Sequence, residues 1–152
     1  SYRGRSRNTA RGARRFTKVY SLQSTVYSRY SDGGYMRDHT KLRAFELADD
    51  LVLDIYRITK AFPRDEQFGL TSQIRRAAIS VASNIVEGCA RSSEADFRRF
   101  LDIAYGSACE VEYQLSVASR LDYLEDSQYE ILRKKSKETV RVLNGLIRSF
   151  RE

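Results

Sequence analysis

Residues 93–118 read SEADFRRFLDIAYGSACEVEYQLSVA and carry the cleanest heptad pattern in the chain. Its apolar residues recur at alternating spacings of three and four, the pattern of one buried stripe on an α-helix. They are Phe97, Leu101, Ala104, Ala108, Val111, Leu115 and Ala118. Ser93 has the side chain of a helix N-cap, and Glu94 and Asp96 suit the positive end of a helix dipole. The stretch therefore predicts a long amphipathic helix.

The same periodicity recurs in three other segments after Met36. It predicts helices over residues 42–61, 70–91, 94–121 and 127–150, with no strand after Met36. Pro63 ends the first helix because the residue before a proline is pushed out of the helical region. Long helices joined by short loops pack as antiparallel neighbours. The predicted fold is an all-α, antiparallel up-down four-helix bundle formed by residues 36–152.

The chain divides at Met36 by charge. Residues 1–35 carry eight basic side chains and one acid, whereas residues 36–152 carry 19 of each. The net charge of +7 thus belongs to the first segment and gives no argument for nucleic-acid binding by the bundle. Residues 1–35 are rich in Arg, Ser, Tyr and Gly, so they are predicted to be basic and largely irregular. The favoured interpretation makes Met36, the only methionine, the native start; a nucleic-acid-binding arm or an organelle transit peptide is the alternative.

Polar side chains form a narrow line along the second predicted helix, which we call the polar seam. At 100° per residue its members lie within about 40° of Ser80. They are Gln73, Arg76, Ser80, Asn84, Glu87 and Arg91. Apolar residues flank the line on both sides, unlike the broad charged face of a solvated helix. Three interpretations are open: a hydrogen-bonded network inside the bundle, a subunit interface, or a contact with a ligand or nucleic acid.

No catalytic centre is recognisable in the sequence. A di-iron carboxylate bundle needs Glu-x-x-His motifs, and the only histidine, His39, precedes the first helix. Cys89 and Cys109 lie on different predicted helices, without the clustered ligands of a zinc site or a histidine partner. Gly88 and Gly106 are isolated within helices, where we expect them to allow close helix approach. We therefore expect no enzyme activity, cofactor, metal or small-molecule substrate.

Cysteine usage and hydropathy suggest a location. Two cysteines are too few for a disulfide framework. No apolar run approaches the roughly 18 residues of a membrane span, and no secretory signal is visible. A cytoplasmic protein without a membrane partner is expected.

Basic residues cluster on the third and fourth predicted helices. They are Arg98 and Arg99, then Arg133, Lys134, Lys135, Lys137 and Arg141. One interpretation is a solvated outer face; the other is weak, sequence-tolerant and salt-dependent contact with the phosphates of RNA or DNA. No aromatic residue lies within residues 133–141, so base stacking is not indicated.

A longer motif on the second helix carries a family resemblance. Residues 70–80 read LTSQIRRAAIS, and residues 84–88 read NIVEG. The match continues through Phe97, Phe100-Leu101, Ile103-Ala104, Gly106-Ser107, Glu110 and the turn Leu121-Asp122-Tyr123-Leu124. From Met36 to about Phe150 the chain resembles bacterial four-helix bundle proteins encoded in intervening sequences of large-subunit ribosomal RNA genes. The departures are mild: Ala108-Cys109 replaces a more apolar pair, and Val86 stands where Ala is commoner.

The resemblance implies a compact bundle that assembles into a ring-like homo-oligomer, a pentamer where known. A related group comprises the accessory proteins of diversity-generating retroelements, which bind a reverse transcriptase and nucleic acid. No enzymatic activity is implied. The expected partner is therefore a second copy of the chain, with RNA or DNA as the alternative.

Overall fold

The computed structural model describes residues 27–29 and 35–150. Strand β1 (Tyr27–Arg29) pairs antiparallel with strand β2 (Tyr35–Arg37), so that Ser28 lies opposite Met36. The prediction of no strand after Met36 is wrong at Arg37. Residues 27–29 also form a strand within the segment predicted to be largely irregular, whose residues 1–26 and 30–34 lie outside the described part. Strands of three residues are too short to show an alternating pattern, so periodicity could not reveal them.

Four helices follow β2: α1 (Arg43–Ile58), α2 (Leu70–Cys89), α3 (Glu94–Arg120) and α4 (Asp126–Ser149). Their ends agree with the predicted ranges to within three residues. The largest difference is at the end of α1, where the chain tightens into a 3-10 turn at Thr59–Ala61 before Pro63. Two further 3-10 turns occupy His39–Lys41 and Arg64–Glu66.

Side chains satisfy the free backbone groups at the starts of three helices. Ser93 Oγ accepts a hydrogen bond from the Asp96 amide at 3.0 Å, which confirms Ser93 as the N-cap of α3. Glu66 Oε2 accepts from the Leu70 amide at 2.8 Å and so caps α2, a role that Gly69 lacks the side chain to fill. Glu125 begins α4 with a capping box that includes Gln128.

The helices pack around an apolar interior that consists of two clusters of buried residues. α1 contacts α2 and α4, and α3 contacts the same two helices, so antiparallel neighbours surround the interior. All seven apolar residues predicted for the stripe of α3 are buried. Leu51 and Ile55 of α1, Ile74 and Ile85 of α2, and Leu143 of α4 complete the most deeply buried part. Residues 43–149 form an all-α, antiparallel four-helix bundle, as predicted.

Arg37 joins β2 to one end of the bundle. Its guanidinium lies 4.4 Å from the centroid of the Phe97 ring, and its Nη1 donates to the Arg91 carbonyl oxygen at 3.1 Å. That carbonyl lies just beyond α2, where backbone acceptors lack helical partners. Arg37 therefore stacks on the buried Phe97 ring and also supplies a hydrogen-bond donor to the carbonyl oxygen at the end of α2.

The two glycines that were expected to allow close helix approach differ. A Cβ added at Gly88 would lie 2.9 Å from Phe100 Cβ and 3.3 Å from the Phe97 carbonyl oxygen. Gly88 therefore permits the contact of α2 with α3, as predicted. Gly106 is exposed, and an added Cβ would meet nothing within 4 Å, so the prediction for Gly106 is wrong.

In the part of the chain that the structure describes, no helix combines the length and apolarity needed to cross a bilayer.

Candidate functional site

The middle of the polar seam is a small hydrogen-bonded network between α2 and α3. Ser80 Oγ lies 2.8 Å from Ser107 Oγ, within hydrogen-bond distance. Asn84 Nδ2 donates to the Ser80 carbonyl oxygen at 2.8 Å and to Ser80 Oγ at 3.0 Å. Ser107 is buried, whereas Ser80 and Asn84 are half-buried. The internal-network interpretation therefore describes these two seam residues.

The other four seam residues lie on the surface. Gln73 and Arg76 are exposed near the start of α2. Glu87 and Arg91 are exposed and form an ion pair one helical turn apart. The Arg91 guanidinium also lies 4.9 Å from the centroid of the Phe100 ring. The six residues thus share a helix face without forming one continuous network.

One apolar flank of the seam stays outside the core. Ile79 and Val86 of α2 are 41% and 37% exposed. Leu53 and Tyr56, on the neighbouring helix α1, are 46% and 37% exposed. We call these four residues the α1/α2 apolar face. Single exposed apolar residues are normal, but four large ones on two adjacent helices are typical of a contact surface.

Arg75 fixes the relative placement of the two helices that carry this face. Its Nε donates to Thr59 Oγ1 at 2.8 Å, and its guanidinium lies 4.8 Å from the centroid of the Tyr56 ring. Thr59 Oγ1 in turn donates to the Ile55 carbonyl oxygen at 2.7 Å. Because the Tyr56 ring is held by a cation on the adjacent helix, the apolar face has a defined shape.

The basic residues of α4 point in different directions. Lys135 forms an ion pair with Asp54 of α1, and Arg133 pairs with Glu130 at 3.2 Å. Lys134, Lys137 and Arg141 are exposed, and none of them forms an ion pair with another described residue. Three free cations therefore remain on the outer side of this helix.

The two basic residues of α3 lie apart from that cluster in sequence and in environment. Arg99 is exposed, with its guanidinium 5.4 Å from the centroid of the Phe100 ring. Arg98 is half-buried, and its Nε has no hydrogen-bond partner among the described residues. The structure thus does not bring all seven predicted cations into one patch.

A groove between α3 and α4 escaped the sequence analysis. Its volume is about 400 Å³. Its lining comprises Cys109, Glu112, Tyr113 and Ser116 of α3 with Tyr129, Arg133 and Lys137 of α4. The signal in the sequence was the spacing of Cys109, Tyr113 and Ser116, which places them on one face of α3. The sequence alone does not show that this face of α3 lies beside α4; the three-dimensional structure does.

The single histidine and the two cysteines, which are the candidate metal ligands or nucleophiles, lie in ordinary structural environments. His39 packs edge-on against Phe45, with ring centroids 4.6 Å apart. Cys89 is buried, and its burial raises the pKa of the thiol to about 11. Cys109 is half-buried. Its electrostatic interaction with Tyr105, followed by its hydrogen bond to the same residue, raises the pKa of the Tyr105 hydroxyl. Among the described residues, no three His, Cys, Asp or Glu side chains are grouped as metal ligands would be.

Comparisons with known proteins add family information. A sequence model of the family described as "23S rRNA-intervening sequence protein" matches residues 40–145. Among solved structures, the chain is similar to a protein of unknown function from the S23 ribosomal protein family of Bacteroides thetaiotaomicron VPI-5482. The two are 30% identical with a TM-score of 0.64, and the match covers 68% of this chain and 97% of the other. No curated protein matches the chain.

Proposed function

The chain belongs to the 23S rRNA-intervening sequence protein family, and we propose that it acts as a non-enzymatic, homo-oligomeric binding scaffold. The α1/α2 apolar face is the observation that carries this proposal. Covering Leu53, Tyr56, Ile79 and Val86 removes apolar surface from water, which is the main driving force of association. The occupant that we propose is a second copy of the chain.

The charges beside the face favour a head-to-tail contact. Asp49 and Asp50 are exposed on α1, whereas Arg76 is exposed on α2. An acidic edge on one helix and a basic edge on the next can pair when α1 of one subunit meets α2 of another. Such a heterologous contact generates a closed ring when the rotation between subunits closes. The family resemblance implies a ring of five.

Light scattering coupled to size-exclusion chromatography tests the scaffold proposal on the full chain. We expect a mass well above the 17.6 kDa of one chain, at about five times that value for the ring. Ile79→Glu places a charge in the apolar face and should shift the population to monomer. Ile131→Glu is the matched control, because Ile131 is also an exposed isoleucine but lies on α4, which does not contribute to the face. A monomeric wild-type chain, or equal effects of both variants, would refute the proposal.

A second candidate function is weak, sequence-tolerant binding of RNA, with DNA as the related ligand. The free cations Lys134, Lys137 and Arg141 on α4 favour it. A ring would repeat these cations around its axis, and each phosphate contact adds affinity through counterion release. We expect binding of an RNA oligonucleotide at low salt that weakens steeply as salt rises. If no RNA binds at low salt, the scaffold role remains as the only proposed function. Salt-insensitive, sequence-selective binding would also contradict this second function.

A further inference from the structure

The groove between α3 and α4 combines features that the basic cluster alone lacks. Tyr113 is 65% exposed on α3, and Tyr129 is half-buried near the start of α4. Both rings line the groove together with Arg133 and Lys137. Residues 133–141 contain no aromatic residue, so that stretch by itself does not indicate base stacking. The structure supplies the aromatic rings from outside that stretch.

The lining is suited to a ligand with a flat ring and a negative charge. An exposed tyrosine offers a face on which a base can stack, and such stacking tolerates any base. Arg133 and Lys137 lie one helical turn apart on α4, so their cations can contact the same phosphate or adjacent ones. The Glu130 carboxylate that pairs with Arg133 is exposed, so the pair is weak and can exchange for a phosphate.

The electrostatic surroundings favour the same ligand. Glu112 is the one acid among the groove residues, against the two cations Arg133 and Lys137. The exposed Lys134 and Arg141 extend the positive surface along α4 beyond the groove. An extended polyanion can therefore follow α4 while one of its bases enters the groove.

We propose that this groove is a binding site for single-stranded RNA, with one base stacked on Tyr113 and the adjoining phosphates held by Arg133 and Lys137. This inference rests on the second candidate function. A duplex is disfavoured because its bases are already stacked on one another, whereas a single strand can turn a base outward. Stacking on a tyrosine ring and contacts with phosphates do not depend on the identity of the base, so we expect the site to be sequence-tolerant.

Fluorescence anisotropy with a labelled oligouridylate tests the inference on the full chain at low salt. Lys137→Ala and Lys134→Ala remove the same charge from the same helix, but only Lys137 lines the groove. We expect Lys137→Ala and Tyr113→Ala each to weaken binding about fivefold or more. Lys134→Ala should have a smaller effect, and Tyr113→Phe should bind like wild type because the ring is retained.

The outcomes separate this inference from the proposed function. Equal losses for Lys134→Ala and Lys137→Ala, with no loss for Tyr113→Ala, would keep RNA binding and overturn the groove site. Absence of binding by the wild-type chain would overturn both. Because Tyr113 and Lys137 are exposed, circular dichroism should show all variants folded; a variant that unfolds is replaced by Tyr113→Ser or Lys137→Gln.

Alkylation of Cys109 gives a local readout of the same site. Cys109 lines the groove, whereas Cys89 is buried in the core and serves as an internal reference. The oligouridylate should slow the reaction of Cys109 with iodoacetamide, and uridine monophosphate should do so only at much higher concentration. Equal protection by a polyglutamate peptide or by inorganic phosphate would mean a general anion site and would overturn the proposal.

Discussion

The Ser80 hydroxyl of α2 lies 2.8 Å from the Ser107 hydroxyl of α3, at the middle of the polar seam. Asn84 donates to the same Ser80 oxygen, so one half-buried hydroxyl is shared by two partners. Hydrogen bonds of this kind have a direction, which apolar contacts lack. The pair therefore fixes how far α2 can slide along α3.

Ser107→Ala should destabilise the protein modestly. Ser107 is buried, and the variant loses the hydrogen bond that Ser107 makes with Ser80. Such a loss typically lowers the free energy of unfolding by about 0.5–1.5 kcal/mol. Ser80 keeps its bond from Asn84, so no polar atom of Ser80 is left without a partner. Urea denaturation at one fixed protein concentration measures the change. The exposed Ser127→Ala should stay within about 0.5 kcal/mol of wild type, and an equal result for both variants would contradict the prediction.

Gly88→Ala and Gly106→Ala should change stability in opposite directions. The new methyl group at position 88 would meet Phe100 Cβ and the Phe97 backbone, so overpacking should cost about 1–3 kcal/mol. The methyl group at position 106 would meet nothing, and Ala in an exposed helix interior is favoured over Gly by about 0.5–1 kcal/mol. Thermal unfolding of both variants measures the difference. A stabilised Gly88→Ala protein would show that α2 and α3 can separate at little cost.

Much of this fold could be predicted from the sequence because helix periodicity is a local signal. The stripe from Phe97 to Ala118 defines α3 without any knowledge of its neighbours. The Ser93 cap likewise depends on residues within one turn. The β1–β2 pairing was missed because neither strand is long enough to carry its own pattern.

The candidate surfaces were harder to predict because they depend on pairs of helices. Tyr113 and Lys137 lie on separate helices and meet only when α3 packs on α4. Helix periodicity places the polar seam on one face of α2, but the angle of each residue alone cannot show that Ser80 reaches Ser107 while Gln73 stays exposed. Lys135 and Lys137 are two positions apart, so they face different neighbours.

Arg37→Ala should destabilise the bundle more than Arg99→Ala. Arg37 is buried, stacks on Phe97 and donates to the Arg91 carbonyl, and a desolvated cation–π contact alone contributes about 2 kcal/mol. The cation of Arg99 also stacks on a phenylalanine but is exposed, so its loss should change the free energy of unfolding by about 0.5 kcal/mol or less. Chemical denaturation of the full chain compares them. Equal stabilities would mean that β2 does not support the bundle.

Cys89 should make stability depend on pH in the alkaline range. Burial raises the pKa of its thiol from 9.0 to about 11, because the thiolate would lose its hydration. Below about pH 7.5 the thiol is protonated in both the folded and the unfolded chain, so its contribution to stability is constant. Between about pH 9 and pH 11 the unfolded chain releases a proton that the folded chain retains. Stability should therefore fall as pH rises, by up to about 1.4 kcal/mol per pH unit from this group.

Comparing variants isolates the contribution of Cys89 from that of other groups. Tyr105 and Tyr123 also have raised pKa values, the first chiefly through Cys109 and the second chiefly through partial burial. Their titration also lowers the free energy of unfolding as pH rises, and it does so in both the wild type and Cys89→Ala. Cys89→Ala should therefore show a shallower loss of stability between pH 9 and pH 11, whatever its stability at pH 7. Urea midpoints across this range provide the measurement, and a slope equal to that of wild type would assign the effect to the tyrosines instead.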